Sequence, residues 1–125
     1  MSKVLVIDDS RLARCMTSDA LSRGGFDVVQ AVNGQRGLEA FAEHQPDCVV
    51  IDLLMPVMTG QEFIRRLRED DDSTPVLVLT SDIQDSSRIE CESLGISKFL
   101  HKPVDKNQIT EDVRNALSQE GVMSK

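Results

Sequence analysis

The sequence predicts an α/β fold in which one parallel sheet is covered by helices on both faces. Short apolar runs rich in β-branched residues alternate along the chain with stretches of helical periodicity, and there are five of each. Such an alternation favours parallel strands joined by right-handed crossovers, which build a doubly wound sheet. The 125 residues are predicted to form a single domain, because one domain usually takes roughly 100–200 residues.

The first strand and helix are marked by an apolar run followed by a capping residue. Lys3–Ile7 forms the predicted strand, and Asp8 and Asp9 follow it directly. The hydroxyl of Ser10 can accept a free backbone N–H of the first helical turn. Gly24-Gly25 is a typical helix end. Between these signals, the apolar residues recur at the helical spacing i, i+3, i+7 and i+8, at Ala13, Met16, Ala20 and Leu21.

The second and third strands differ in polarity. The predicted second strand, Phe26–Val32, is the more polar of the two. Asn33-Gly34 then leads into a helix with an apolar face of Leu38, Phe41 and Ala42. The third strand, Cys48–Ile51, is wholly apolar and stops at Asp52. A continuous apolar strand is typical of one buried on both faces, so we expect it near the centre of the sheet.

The second half of the chain repeats the pattern. Gly60–Arg68 is a predicted helix with a buried face, and the acidic run Glu69–Asp72 is predicted to be a solvated loop. Pro75 precedes a fourth buried strand that ends at Thr80. The remaining predicted elements are a weakly amphipathic helix at Asp85–Leu94, a strand at Lys98–Leu100 and a helix at Asp105–Ser118. We expect residues 1–119 to form the core and 120–125 to fray.

Composition narrows the classes of function. The net charge of −7 argues against non-specific nucleic-acid binding, which needs clustered Lys and Arg. No apolar run approaches the ~18 residues that indicate a membrane span. The first residues enter a strand without a charged and apolar leader, so a cytoplasmic location is predicted. Three widely spaced cysteines are expected to stay reduced.

Polar side chains follow four of the five predicted strands. Asp8 and Asp9, Asp52, Thr80 and Lys102 each stand at a strand's carboxyl end. In parallel sheets that edge is where ligands bind. A carboxylate can accept a phosphoryl group as an acyl phosphate, and a pocket of three carboxylates needs a divalent cation to offset their repulsion. Mg²⁺ suits a site that offers few protein oxygens.

These residues, together with the Met55–Gly60 stretch MPVMTG, resemble the receiver domain of two-component response regulators. The resemblance spans essentially the whole chain, and in organisation it is closest to the stand-alone, chemotaxis-type receiver. It implies a flavodoxin-like five-stranded sheet in the order 2-1-3-4-5. It also implies a partner histidine kinase or phosphotransfer domain, whose phosphohistidine donates to Asp52.

The resemblance further assigns roles around Asp52. Asp9, Asp52 and the backbone carbonyl of Leu54 would bind Mg²⁺, with Asp8 acting through water. Lys102 and the Thr80 hydroxyl would bind phosphoryl oxygens, and the Lys102–Pro103 bond would be cis. Thr80 and Phe99 would form a switch that alters the face made by helix four, strand five and helix five. A downstream protein would bind that face. No direct binding of nucleic acid or of a membrane is expected, and the protein is expected to be a monomer or a weak dimer.

Other classes of protein share parts of this fold and site. A haloacid-dehalogenase-type phosphatase also uses an aspartyl nucleophile, but it typically carries an acid two residues later, where this chain has Leu54. A flavodoxin-like electron carrier shares the fold, yet the chain has no Trp or Tyr to stack on a flavin. A phosphorelay shuttle or a polar-localisation regulator would share the same site. As a receiver, the chain would catalyse only its own phosphorylation and dephosphorylation, and Asp82 could guide or repel the hydrolytic water.

Overall fold

The computed structural model describes residues 1–71 and 73–123, with side chains described up to residue 118. Its strands form one parallel sheet in the order β2-β1-β3-β4-β5, which confirms the predicted fold class and strand order. The ten elements are β1 Lys3–Ile7, α1 Arg11–Arg23, β2 Asp27–Ala31, α2 Gly34–His44, β3 Cys48–Ile51, α3 Gly60–Asp70, β4 Val76–Thr80, α4 Asp85–Ser93, β5 Lys98–His101 and α5 Lys106–Met123.

The sheet separates two apolar cores. Successive side chains of a strand point to opposite faces, so neighbouring residues of β1 and β3 enter different cores. Leu5 and Val49 pack on the side covered by α2, α3 and α4. Val4 and Cys48 pack on the side covered by α1 and α5. Every residue of β3 and β4 is buried. The strand ends that carry Asp52 and Thr80 are therefore held by the packing of both cores.

Helix α2 packs differently from its predicted orientation. Gly34 and Gly37 are its buried residues, whereas Ala42, predicted to face inward, is exposed. A Cβ at Gly37 would lie 2.5 Å from Ile7 Cδ1, so the helix approaches the sheet along its glycine side. That close approach turns Ala42 toward solvent.

The boundaries of β2 and β5 differ from those predicted. Strand β2 ends at Ala31 rather than Val32, because it pairs residue for residue with β1, from Lys3 with Asp27 to Ile7 with Ala31. Strand β5 gains one residue, since His101 pairs with Thr80 of β4.

Two helices run longer than predicted. Helix α3 continues to Asp70, so Glu69 and Asp70 are helical rather than part of a loop, whereas Asp72 lies outside the described residues. Arg68 supports this end by donating to the carbonyl of Thr74 at 2.9 Å. Helix α5 continues to Met123, and the first two residues past its predicted end, Gln119 and Glu120, are good helix formers. Residues 124 and 125 of the predicted tail lie outside the described part, and its fraying stays a prediction.

The three cysteines are free, as expected, with Cys48 and Cys91 buried and Cys15 exposed. Burial raises the pKa of the Cys48 thiol to about 12, so it packs as a small neutral side chain. Among the helices of the described residues, none has the length and apolar content that crossing a membrane requires.

Candidate functional site

The register of β1 with β3 brings two acids side by side. Ile7 pairs with Ile51, and the next residue of each strand is an aspartate. The backbone N–H of Asp52 donates to the carbonyl of Ile7 at 3.1 Å, which continues the pairing one step past the strands. Asp8 and Asp52 are each 4% exposed. Two buried carboxylates therefore share the carboxyl edge at the centre of the sheet.

The turn after β3 packs tightly against Asp52. The N–H of Gly60 donates to the carbonyl of Leu53 at 3.1 Å. A Cβ at Gly60 would lie 2.5 Å from the backbone oxygen of Asp52 and 2.8 Å from the Cα of Leu53. Because both neighbours are backbone atoms, they cannot swing aside, so only glycine fits at the start of α3. The last residue of the MPVMTG stretch thus fixes the loop beside the acid.

Lys102 supplies a cation to both carboxylates. Its Nζ lies 2.8 Å from Asp8 Oδ2 and 2.9 Å from Asp52 Oδ2. The backbone N–H of Lys102 donates to the carbonyl of Thr80 at 2.8 Å, which ties the end of β5 to the end of β4. The Lys102–Pro103 peptide bond is cis. The lysine side chain is held inside the cluster and is only 18% exposed.

The pKa values follow from burial and pairing. Burial raises the pKa of the Asp8 carboxyl, and the hydrogen bonds from Lys102 and the Ser10 N–H offset this only in part. Burial alone would lower the pKa of Lys102, but its hydrogen bonds to Asp8 and Asp52 outweigh burial and raise that pKa. Lys102 therefore stays protonated at neutral pH and partly neutralises the two acids.

A third acid completes an oxygen-rich cluster. Asp9 is exposed, and one carboxylate oxygen from each of Asp8, Asp9 and Asp52 lies within 4.8 Å of the others. The Leu54 N–H donates to Asp52 Oδ1 at 3.2 Å, while the Leu54 side chain is 53% exposed. An all-oxygen donor set with an open side fits a hard cation such as Mg²⁺, which keeps several waters.

Thr80 and Phe99 lie on the two strands beyond β3. Thr80 is fully buried, and its hydroxyl accepts the N–H of Asp82 at 3.2 Å. Phe99 is half-buried on β5 and packs edge-on against His101, with ring centroids 5.6 Å apart. The strand ends therefore gather Thr80 and Lys102 at the edge that carries Asp8 and Asp52.

Asp82 has a structural role that the sequence analysis missed. Its Oδ1 accepts the N–H of Gln84 at 3.0 Å, and its Oδ2 accepts the hydroxyl of Ser87 at 2.6 Å. The Ser87 hydroxyl and the Gln84 N–H lower the pKa of Asp82. Both carboxylate oxygens are thus engaged with the start of α4. The signal available in the sequence was an acid shortly before a helix start with a serine inside the first turns.

Comparison with known proteins agrees with this geometry. The profile of the response regulator receiver domain family matches residues 4–114. The chemotaxis protein CheY of Bacillus subtilis is 30% identical over 93% of this chain and 98% of its own length. The response regulator MprA of Mycolicibacterium vanbaalenii is 35% identical over 92% of this chain, which spans 50% of MprA.

A solved structure gives the same result. That of the chemotaxis protein CheY4 of Vibrio cholerae superimposes with a TM-score of 0.87 at 31% identity, over 93% of this chain and 98% of CheY4. Receiver domains signal by phosphorylation, bind Mg²⁺ at an acidic pocket, and interact with histidine kinases and downstream targets. The chain belongs to the response regulator receiver domain family.

Proposed function

We propose that this chain is a phosphorylation-controlled signalling protein. Asp52 accepts a phosphoryl group from the phosphohistidine of a histidine kinase or phosphotransfer domain, and the phosphorylated form binds a downstream protein. The observation that carries the proposal is the Asp52 carboxylate, placed at the end of the central strand with the Lys102 ammonium 2.9 Å away. This pairing supplies both a nucleophile and a fixed positive charge.

The transfer step needs positioning more than covalent help. An Asp52 carboxylate oxygen attacks phosphorus while the phosphorus–nitrogen bond of the donor breaks, and the imidazole nitrogen keeps the electron pair. The products are an aspartyl phosphate and a histidine, which is neutral because the other ring nitrogen of the phosphohistidine carries a proton. The Lys102 ammonium contacts a phosphoryl oxygen and stabilises the charge there, and the Thr80 hydroxyl binds another.

The oxygen cluster is proposed to hold Mg²⁺ through Asp9, Asp52 and the backbone carbonyl of Leu54, with Asp8 acting through water. When bound, the ion neutralises both the carboxylates and the phosphoryl oxygens. The exposed position of Asp9 supports this role, because it leaves the cluster open to solvent on one side.

Replacing Asp9 tests the metal assignment. At about 100 times its dissociation constant, Mg²⁺ should stabilise the parent protein by roughly 2.7 kcal/mol, because it binds the folded pocket rather than the unfolded chain. We expect Asp9→Ala to show a much smaller increase in melting temperature, since it loses a ligand. Without Mg²⁺, Asp9→Ala should be at least as stable as the parent, because one repelling charge is gone.

Thermal melts with and without Mg²⁺ at matched ionic strength measure these increments. Asp19→Ala is the matched control: it also removes one exposed acid, in this case one that pairs with Arg23 on α1. Its Mg²⁺ increment should equal that of the parent. The metal role of Asp9 is wrong if Asp9→Ala gains as much from Mg²⁺ as the parent does.

The surface made by α4, β5 and α5 is proposed to bind the downstream protein. Thr80 and Phe99 would change it when Asp52 is phosphorylated. Two observations support this surface. Ile83, just before α4, and Ile89, on α4, are 79% and 60% exposed, and so offer apolar side chains that a partner protein could cover. Phe99 packs only partly into the core, so it has room to move.

The coverage of CheY over 98% of its length supports a stand-alone, chemotaxis-type receiver. Leu54 cannot activate water two residues after Asp52, which favours slow loss of the phosphoryl group over turnover of external substrates. We therefore propose that the chain catalyses only its own phosphorylation and dephosphorylation. The cytoplasmic location and the monomer or weak dimer stay predictions.

Transfer from kinases of the same cell tests the proposed function. Each kinase is autophosphorylated on histidine with radiolabelled ATP, freed of nucleotide and mixed with the chain and Mg²⁺. Label should move from a cognate kinase to the chain within seconds and from the other kinases far more slowly. If the label then moves on to a second histidine protein, the chain is a phosphorelay shuttle. A chain that takes label from none of the kinases contradicts the proposal.

A further inference from the structure

We propose that Asp82 is a positioning residue that couples the Thr80 hydroxyl to the start of α4. The coupling consists of the hydrogen bonds that join Thr80 to Asp82 and Asp82 to Ser87, here named the Thr80–Asp82–Ser87 link. Phosphorylation of Asp52 breaks or shifts this link and thereby frees the first turns of α4. The inference rests on the proposed function, in which Thr80 contacts the phosphoryl group.

The first part of the link is the buried Thr80 hydroxyl, which accepts the Asp82 N–H at 3.2 Å. The Thr80 backbone is fixed, because its carbonyl accepts the Lys102 N–H at 2.8 Å. Only rotation of the side chain can therefore redirect the hydroxyl. A threonine has few allowed χ1 rotamers, so a change of rotamer that carries its hydroxyl oxygen to the phosphoryl group also moves this acceptor away from the Asp82 N–H.

The second part is the Asp82 carboxylate, which holds the start of α4 with both of its oxygens. It accepts the Gln84 N–H at 3.0 Å and the Ser87 hydroxyl at 2.6 Å. Hydrogen bonds to a carboxylate are stronger than neutral ones. Gln84, the N-cap residue, makes no side-chain capping bond within the described part of the chain. Asp82 therefore fixes the N-cap residue and the first turn of α4 from outside the helix.

The rest of α4 is anchored at its other end. The guanidinium of Arg68 donates to the carbonyls of Leu94 and Gly95, at 3.5 and 3.3 Å. The buried residues of α4 are Ser87 and Cys91. An opening of the link thus frees the first turns while Cys91 and the Arg68 contacts keep the C-terminal end in place. Segments with few buried contacts open with the smallest free energies.

Hydrogen exchange of the α4 amides, read by mass spectrometry, tests the link. The parent is compared with and without acetyl phosphate and Mg²⁺. The amides that report the link are the Gln84 N–H, which bonds Asp82, and those of residues 88–91, the first that bond within α4; these should exchange faster once Asp52 is phosphorylated. Without the phosphodonor, Asp82→Ala should already exchange about tenfold faster there than the parent, as expected from losing hydrogen bonds to a charged group. Phosphorylation should add little further increase. Ser87→Ala, which keeps Asp82 but removes its partner hydroxyl, should behave in the same way.

Asp85→Ala is the matched control. Asp85 is an exposed acid in the same turn and pairs with Arg88. Its removal takes a favourable charge from the N-terminal end of the helix dipole, so exchange should rise far less than in Asp82→Ala, and the phosphorylation-dependent increase should stay that of the parent. A merely structural role for Asp82 would raise exchange by the same factor in both states, so a preserved increase in Asp82→Ala overturns the coupling. So does an unchanged exchange rate in the unphosphorylated variant.

Intact mass, recorded on the same samples, distinguishes failure of the Thr80–Asp82–Ser87 link from failure of the proposed function. If the parent and Asp82→Ala both gain one phosphoryl mass and show equal increases in α4 exchange, the link is overturned and the proposed function stands. If the parent gains no phosphoryl mass, the proposed function is overturned, and the link with it.

Discussion

Asp52→Asn is expected to gain no phosphoryl group under conditions in which the parent gains one. With Mg²⁺ and acetyl phosphate, the parent should take up the mass of a single phosphoryl group, labile to hydroxylamine as an acyl phosphate is. The variant should take up none, because an amide is a poor nucleophile and lacks the charge that pairs with Lys102 at 2.9 Å. Intact-mass spectrometry over a time course measures both proteins.

Asp8→Asn provides the control for this experiment. Asp8 is as buried as Asp52 and shares Lys102 with it, so the same change is made to a neighbouring acid of the cluster. We expect Asp8→Asn to gain a phosphoryl group more slowly than the parent but to the same final mass. Undiminished labelling of Asp52→Asn would show that another residue is the acceptor.

Lys102→Met is expected to destabilise the Mg²⁺-free protein by about 3 kcal/mol at pH 7, which is typical of removing one partner of a buried ion pair. Methionine has a similar length but no charge. The carboxylates of Asp8 and Asp52, each only 4% exposed, would then repel each other without a cation between them. Urea unfolding in EDTA measures the loss. Mg²⁺ should restore part of the stability, because a cation then returns to the cluster.

The stability that Lys102→Met loses relative to the parent should become smaller as the pH falls. Burial already raises the pKa of Asp8, and removal of the ammonium raises it further. A group with a raised pKa in the folded state binds more protons folded than unfolded, so its contribution to stability is lost as the pH rises through that pKa. The deficit of Lys102→Met should therefore be smaller at pH 5 than at pH 7. Lys102→Arg, which keeps the charge, should lose much less, and equal stability of Lys102→Met and the parent at pH 7 would contradict the argument.

Local patterns were sufficient to predict the sheet and the edge that carries the site. An apolar run such as Cys48–Ile51 buries both faces wherever it is placed, so its position at the centre follows from its composition. Because the carboxyl ends of parallel strands lie at a common edge of the sheet, the acids after β1 and β3 were expected to lie close together. The position of Asp8 beside Asp52 could therefore be predicted without knowing which side chains are in contact.

Some features depended on contacts with distant residues. The end of α3 is one: the acidic run Glu69–Asp72 was predicted to be a solvated loop because of its charge. The structure extends the helix to Asp70 because Arg68 reaches the carbonyl of Thr74. Ala42 is another, since its exposure depends on how closely Gly37 approaches Ile7.

The sequence by itself determined the α/β alternation, the strand order through its family resemblance, and the set of polar residues at the strand ends. Only the tertiary structure decided how those residues divide their charges and hydrogen bonds. Lys102 pairs with Asp8 as well as Asp52. The two carboxylate oxygens of Asp82 accept the Gln84 N–H and the Ser87 hydroxyl at the start of α4. These arrangements depend on side-chain directions and on distances between separate elements, whereas a periodic pattern records only which face of its own element a residue occupies.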